Sequence, residues 1–409
     1  MFNLVEFFKP LRSHPQMMTM LVLIALVMSG NGLVAPILSL YATTFAASST
    51  MVGLIITLFG VGRLVANMPG GILSQRFGRK PLLICGPAII VVGSIGAALA
   101  QSFEALVIWR FVQGIGSGFY MTTSSAMMAD MATAGERGRV MALFQSGLLL
   151  GAGIGPAIGG LLAQHFGMTA PFWAYALVCA AAVLFAFTQL DGKPAAPNDG
   201  SDANASEMST GALIRRPLFL LVCIINFGVF FTRTASQWQL IPLLAHDSYG
   251  FSLDTIGFAL TIMAIANFVM LPFTGNLIDR YGSSGVIIWS SLASCIALAV
   301  IAFGWGTVGF WSGIVLLGVA AGLNGPAVAV YAAEIMPRKT YGPAMGLLRT
   351  FGDLGFVLGP ILVGLLEDLT SFGYEGGILL NAVLVAVSAL AFYLGRWFWT
   401  RAEVLSPTN

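Results

Sequence analysis

The feature that constrains this chain most is an internal repeat with a constant offset of 204 residues. Gly71–Gly78, which reads GILSQRFG, returns as Gly275–Gly282, which reads GNLIDRYG. Several glycines and a Gly-Pro pair further along return in the same register, at 114, 118, 155–156 and 160 and again at 318, 322, 359–360 and 364. A parallel repeat of this length predicts two similar halves, each built on the same plan.

Composition places both halves in a lipid bilayer. Hydrophobic residues make up 57% of the chain and charged residues 9%, against about 25% charged in an ordinary soluble domain. Apolar runs of about 20 residues can cross a hydrocarbon core about 30 Å thick. Twelve such runs occur, at about 16–44, 51–70, 81–101, 104–130, 139–164, 169–190, 217–245, 252–277, 285–305, 308–334, 342–366 and 376–398.

These spans predict an all-α integral membrane protein with two six-helix bundles. The bundles are expected at 1–190 and 216–409, joined by a polar cytoplasmic linker at 191–215. Such a chain is typical of a transporter whose two halves rock around a site between them.

Basic residues determine the predicted orientation. Of the 19 lysines and arginines, four lie deep inside spans, namely Arg63, Arg110, Arg233 and Arg349. The others lie in the termini, in alternate loops or at the span ends beside them. Because cytoplasmic loops carry the excess of Lys and Arg, both termini are expected in the cytoplasm, on the inner (plasma) membrane. The net charge of +2 gives no sign of a nucleic-acid partner. The cysteine and histidine spacings predict neither a disulfide framework nor a metal site.

Three glycine-containing motifs follow one another in the first half. The segment from Gly71 to Lys80, after the second span, reads GILSQRFGRK, and the segment from Arg110 to Gly118, in the fourth span, reads RFVQGIGSG. The fifth span carries glycines every four residues on one helix face, where a neighbouring backbone can approach closely. This stripe and its flanking residues comprise Gly147, Gly151, Gly155, Pro156, Gly159 and Gly160. Generic small-residue packing is the alternative explanation for the stripe.

These motifs resemble those of the major facilitator superfamily over nearly the whole chain, and most closely its twelve-helix drug:proton antiporter branch. The resemblance implies the two-bundle fold and alternating access. It also implies that the first motif latches the halves in the outward-open state through Gly71, Gly78, Arg76, Arg79 and Lys80. Gln75 stands where the family has an aspartate, and the second copy keeps Asp279 and Arg280. The fifth-span motif is one that the family associates with exporters.

Acidic residues at the ends of the fourth and tenth spans are the expected partners of these loops. The resemblance pairs Asp130 with Arg76 or Arg79, and its repeat equivalent Glu334 with Arg280. The alternative is that these carboxylates are solvated charges at helix ends.

Ionisable residues inside the predicted spans are functional candidates. Asp353 lies near the middle of the eleventh span, one turn after Arg349, and this pair is the candidate for proton coupling. A purely structural pair that braces the helix is the alternative. Asn31 occupies the general depth where the family usually has an acidic residue on the first span.

The spans contain four arginines and one mid-membrane aspartate. This balance favours an anionic or zwitterionic substrate, because a guanidinium forms bidentate hydrogen bonds with carboxylate or phosphate. The candidate cavity residues are Asn31, Arg110, Tyr120, Asn226, Arg233, Gln237 and Asn324. The alternatives are hydrogen bonding between helices for the polar residues, and snorkelling to the membrane surface for Arg110.

The sequence therefore predicts a secondary active transporter that exports small organic molecules in exchange for protons. It is expected to work as a monomer, with the substrate, protons and the lipid bilayer as its partners. The proton gradient supplies the energy, and no cofactor is expected. Uptake of an organic anion by proton symport or facilitated transport is the alternative, and a non-transporting sensor with the same fold is a more distant one. No nucleophile–base pair, metal cluster or phosphate-binding loop in the sequence indicates an enzyme.

Overall fold

The computed structural model describes residues 15–131, 137–190, 216–303, 306–336, 341–370 and 372–405. Within these ranges, twelve helices confirm the predicted all-α fold: α1 (Pro15–Thr43), α2 (Ser49–Phe77), α3 (Arg79–Ala98), α4 (Phe103–Asp130), α5 (Arg137–Phe166), α6 (Ala170–Gln189), α7 (Pro217–Asp247), α8 (Leu253–Tyr281), α9 (Ser283–Ala302), α10 (Gly306–Ile335), α11 (Tyr341–Leu369) and α12 (Gly373–Leu405). The predicted linker at 191–215 lies outside the described residues.

Eleven of the helices in the described ranges are long and apolar enough to cross a membrane. The other one, α4, has 28 residues but a more polar sequence. Five of its polar side chains are buried inside the protein rather than turned to lipid, namely Arg110, Gln113, Ser117, Thr123 and Ser124. Because helical polar groups are tolerated at membrane depth when protein surrounds them, α4 remains a spanning helix.

The described residues form two compact units. Unit one consists of residues 15–190 with 245–264, and unit two of residues 216–244 with 265–405. In unit one, α4 packs against α2 and α3, and α1 packs against α5 and α6. In unit two, α10 packs against α9, and α7 packs against α11 and α12. The contacts of α1 with α5 and α6 thus return as those of α7 with α11 and α12, which extends the sequence repeat to the packing.

Glycines bring the paired helices of each unit into backbone contact. A Cβ atom at Gly155 of α5 would lie 2.6 Å from the backbone of Gly32 on α1, and one at Gly159 would overlap the Leu33 carbonyl. In unit two, a Cβ atom at Gly355 of α11 would overlap the Phe227 carbonyl on α7. These are approaches that only glycine permits, so the predicted glycine stripe is a helix-packing face.

The middle of α7 is a π-helix of nine residues, Thr232–Leu240. π-Helices are rare and frequently occur at functional sites. Side-chain hydrogen bonds supplement the backbone here: Thr232 Oγ1 donates to the Gly228 carbonyl at 2.9 Å, and Asn381 Nδ2 of α12 donates to Ser236 Oγ at 2.6 Å. The predicted cavity residues Arg233 and Gln237 therefore lie in a segment of altered helix geometry.

Candidate functional site

The α4 motif places Arg110 in the interior of unit one. Gly114 packs against the backbone of α2 at Phe59, and Gly116 packs against α3 at Gly86. With α4 held between these helices, the Arg110 side chain is only 1% exposed. Arg110 therefore does not snorkel, and the motif produces a buried cation.

Two neighbours, Gln113 and Phe59, position the Arg110 guanidinium. Its Nη1 donates to Gln113 Oε1 at 2.6 Å, and Gln113 Nε2 in turn donates to Ser94 Oγ on α3 at 2.8 Å. Its guanidinium carbon lies 4.5 Å from the centre of the Phe59 ring, within the range of a cation–π interaction. These neighbours carry no charge, so they orient the guanidinium without neutralising it.

Part of the Arg110 charge lacks a partner in the described part of the chain. No carboxylate there lies within ion-pair distance of the guanidinium, and the Nε atom makes no hydrogen bond to those residues. A buried cation without a counter-ion is destabilising, by several kcal/mol, because it has left water without gaining an opposite charge. The Arg110 charge is thus not balanced by a carboxylate of the described residues.

The other two candidates in unit one differ from each other in exposure. Tyr120 is fully buried and packs against α3, because a Cβ atom added at Gly86 of α3 would lie 2.9 Å from the Cβ atom of Tyr120. Asn31 on α1 is half-buried, between Gly30, which abuts Tyr175 of α6, and Gly32, which abuts α5. Of the two, Asn31 is the more accessible to a ligand.

Arg233 and Gln237 lie on the π-helix of unit two, and both are half-buried. The Arg233 guanidinium carbon is 5.6 Å from the centre of the Trp238 ring. The Trp238 ring makes an edge-to-face contact with Phe356 of α11, with 5.4 Å between the ring centres. Aromatic packing therefore holds this second cation, as it holds Arg110 in unit one.

Two predicted cavity residues of unit two hydrogen-bond to neighbouring helices. Asn226 Nδ2 donates to the Leu348 carbonyl of α11 at 2.8 Å, and Asn324 Nδ2 donates to Ser291 Oγ of α9 at 3.1 Å. These contacts correspond to the alternative that sequence analysis left open for polar residues.

Sequence analysis missed Asn381, whose amide connects α12 to Thr232 and Ser236 of the π-helix. An asparagine in an otherwise apolar span was the available signal.

The candidate coupling residues lie one turn apart on α11. Asp353 is buried, with 6% of its surface exposed, whereas Arg349 is exposed. Each takes part in a polar or electrostatic interaction. A buried carboxylate within a spanning helix keeps Asp353 the candidate for proton coupling.

The first glycine motif forms the predicted ion pair. Arg79 Nη2 lies 3.0 Å from Asp130 Oδ2, and Arg79 Nη1 donates to Ser74 Oγ at 2.7 Å. Gly78 has a φ of +87°, which favours glycine, and it separates α2 from α3. Lys80 Nζ donates to the Leu190 carbonyl at 2.6 Å, while Gln75 and Arg76 are exposed. Of the two predicted partners for Asp130, Arg79 is the one that binds it.

The repeat copy of this motif corrects the second predicted pair. Glu334 accepts a hydrogen bond from Ser283 Oγ, and Ser283 is the repeat equivalent of Arg79. Arg280 is exposed and lies against the ring of Tyr281, with 5.3 Å from its guanidinium carbon to the ring centre. Asp279 is also exposed. The predicted Arg280–Glu334 ion pair is wrong. Ser283 occupies the place beside Glu334 that Arg79 has beside Asp130, and Glu334 binds its hydroxyl group instead of Arg280.

The part of the α5 motif that contains Pro156 and Gly160 contacts the beginning of α8, within unit one. A Cβ atom at Gly160 would lie 3.1 Å from the Cα atom of Gly257, and one at Gly257 would overlap the Pro156 carbonyl. Gly151, like Gly155 and Gly159, faces α1. The motif therefore serves two neighbours, and α5 is closely packed on both sides.

Comparison with known proteins agrees with this architecture. The family model of the Major Facilitator Superfamily matches residues 20–252 and 229–408. An uncharacterised MFS-type transporter of Methanocaldococcus jannaschii is 26% identical over 90% of this chain and 94% of its own length. Multidrug resistance protein 1 of Bacillus subtilis is 27% identical over 83% of this chain and 86% of its own length.

A solved structure shows the same fold at low sequence identity. The nucleoside transporter NupG superposes with a TM-score of 0.77 at 16% identity, covering 92% of this chain and 98% of that one. The family match spans nearly all of the chain. The chain is a multi-pass membrane protein that belongs to the major facilitator superfamily of transporters.

Proposed function

We propose that this protein exports small anionic or zwitterionic organic molecules in exchange for protons. The observation that carries the substrate class is Arg110, a fully buried guanidinium without a carboxylate partner in the described residues. A permanent cation approaching this residue would meet like charge in a medium of low dielectric constant, where repulsion is strong. A carboxylate or phosphate would supply the missing counter-charge.

Arg233 supports the same substrate class in unit two. Its half-buried guanidinium lies on a π-helix whose hydrogen-bonding side chains are costly against lipid and favourable where water or a polar ligand has access. Aromatic rings beside both arginines suit substrates that combine an anionic group with an apolar body.

Export is favoured by the α5 motif and by a relative. The glycine–proline stripe resembles the exporter motif of the antiporter branch, and the Bacillus relative is named a multidrug resistance protein. Proton coupling would involve Asp353, since a buried carboxylate in a spanning helix can bind and release a proton as its surroundings change. The proposal includes an inner-membrane location with both termini in the cytoplasm, as the basic loops indicate, and a monomer as the transporting unit.

The proposal is tested in proteoliposomes with an imposed pH gradient. A panel of matched compounds, each with an anionic, zwitterionic or permanently cationic form of one aromatic scaffold, is screened for gradient-driven transport. We expect the anionic and zwitterionic members to move against their gradients, and a protonophore to stop them. Preferential movement of the cationic members would contradict the substrate class.

Two variants connect the transport to the proposed residues. Arg110→Ala and Arg233→Ala should each reduce transport of anionic members by about tenfold or more, the effect of losing about 1.4 kcal/mol of interaction. The control is Arg216→Ala, which removes an exposed arginine at the start of α7.

Transport in the direction of proton flow would support the symport alternative.

A further inference from the structure

A small polar cavity lies inside unit two, among α7, α9, α10 and α12. Its volume is about 30 Å³. Most of the lining surface is apolar, and the hydrogen-bonding residues among its lining are Thr232, Gln237, Ser291, Ser294, Asn324 and Ser388. The cavity is too small for an organic substrate, so its polar lining needs a different explanation.

Asn324 is the residue whose hydrogen bonding is incomplete. Its side chain is 3% exposed, and one end of its amide donates to Ser291 Oγ at 3.1 Å. The other end, Oδ1, has no hydrogen-bond partner among the described residues. A buried amide oxygen without a donor is destabilising, and such atoms commonly indicate an ordered water or ion.

Three of the four hydroxyl groups around the cavity do not supply the missing donor. Thr232 donates to the Gly228 carbonyl at 2.9 Å, Ser294 to the Ser290 carbonyl at 3.0 Å, and Ser388 to the Leu384 carbonyl at 2.7 Å. A hydroxyl has one proton, so each of these groups has only lone pairs left to offer. The other lining groups, the Ser291 hydroxyl and the Gln237 amide, still have protons to donate. The cavity therefore presents both acceptors and donors, and water, which donates and accepts, suits both.

We propose that this cavity is a hydration site in which water donates to Asn324 Oδ1 and to a hydroxyl oxygen of the lining. One water needs about 10–15 Å³ of such volume and two to four polar partners, so the cavity holds about two waters. An alkali cation is also attracted by oxygen atoms, but none of the lining residues is a carboxylate that would balance its charge. The water connects α10, through Asn324, with the first residue of the π-helix, Thr232.

Gly228 allows the occupancy of the cavity to be tested. It lines the cavity, and a Cβ atom there would lie 3.6 Å from Leu384 Cδ2 and 3.9 Å from Ser388 Oγ. These are ordinary van der Waals distances, so Gly228→Ala adds a methyl group to the cavity without a clash. Alanine is the better helix former, so the substitution should stabilise the protein if the cavity is empty. If the cavity holds water, the methyl group displaces it and the protein is destabilised.

The experiment measures the Tm of the purified protein in detergent. The variants are Gly228→Ala, Asn324→Ala and the double variant. The control is Gly346→Ala, an exposed helical glycine with no atom within 4 Å of the added methyl. We expect Gly228→Ala to lower the Tm by about 2 °C or more relative to this control. In the Asn324→Ala background the penalty should disappear, because the water's main partner is gone.

Equal effects of Gly228→Ala and Gly346→Ala, with no dependence on Asn324, would overturn the proposal. A Tm of the unaltered protein that falls when NaCl is replaced by choline chloride would assign the site to an alkali cation instead. If Gly228→Ala fails to fold, a high-resolution density map of the unaltered protein decides. A peak within about 2.7–3.2 Å of the Asn324 amide is expected, and an empty cavity refutes the site.

Discussion

The backbone N–H of Ala157 on α5 donates a hydrogen bond to Thr261 Oγ1 on α8, at 2.9 Å. Pro156 precedes Ala157 and interrupts the backbone hydrogen bonds of α5 at this point. A second such bond runs from the Leu253 N–H, at the first residue of α8, to Gln164 Oε1 of α5, at 3.1 Å. Together they fasten the beginning of α8 to the glycine-rich end of α5.

We predict that Thr261→Val weakens this attachment. The change keeps the shape of the side chain but leaves the Ala157 N–H without its acceptor, a loss of about 1 kcal/mol or more. The Tm should fall by about 2–4 °C. The matched control is Thr188→Val, since Thr188 is exposed and bonds only to carbonyls of its own helix, α6. Equal Tm values for the two variants would show that the bond contributes nothing.

A second prediction concerns the Arg79–Asp130 pair. The two side chains are 18% and 28% exposed, so water screens the pair, and its contribution to stability should be below about 1 kcal/mol. If the pair belongs to a latch, however, Asp130→Asn should slow transport by about tenfold while the Tm barely changes. The measurements are transport rate and Tm on the same preparation.

The charge-reversed double variant, Arg79→Asp with Asp130→Arg, serves as the control for this pair. It should recover part of the rate lost in Asp130→Asn. Full transport by Asp130→Asn would mean that the pair is no more than solvated charge at two helix ends.

A third prediction concerns the buried carboxylate of α11. Asp353→Asn keeps the shape of the side chain but prevents it from carrying a proton. Gradient-driven accumulation should be lost, whereas downhill exchange of the substrate should remain measurable. The readouts are accumulation under an imposed pH gradient and counterflow without one. Retention of full accumulation would make Asp353 a structural residue, and Asp130 and Glu334 would be the next candidates.

A fourth prediction concerns topology. Tags placed at residue 1, within 195–208 and at residue 409 should all be protected in intact cells and accessible after permeabilisation. The reason is the concentration of Lys and Arg in the termini and alternate loops. Labelling of the tag at 195–208 from outside intact cells would contradict the twelve-helix orientation.

The number and order of the helices follow from patterns in the sequence alone. Spans of about 20 apolar residues match the bilayer thickness, and glycines spaced by four residues must share a helix face. These regularities are enough to predict twelve helices and the contact face of Gly155 and Gly159, because each depends on spacing along the chain. The pairing of Asp130 with Arg76 or Arg79 follows from the family resemblance instead, and the packing selects Arg79.

The partners of individual polar side chains depend on packing instead. The sequence shows that Asn324 and Glu334 are polar residues in an apolar context, but the rotation of α10 and the identity of its neighbours decide that they meet Ser291 and Ser283. Asn381, which bonds to Ser236 of the π-helix, likewise lies 145 residues further along the chain. Hydrogen bonds between helices join residues far apart in the chain, and their geometry exists only after the helices have packed.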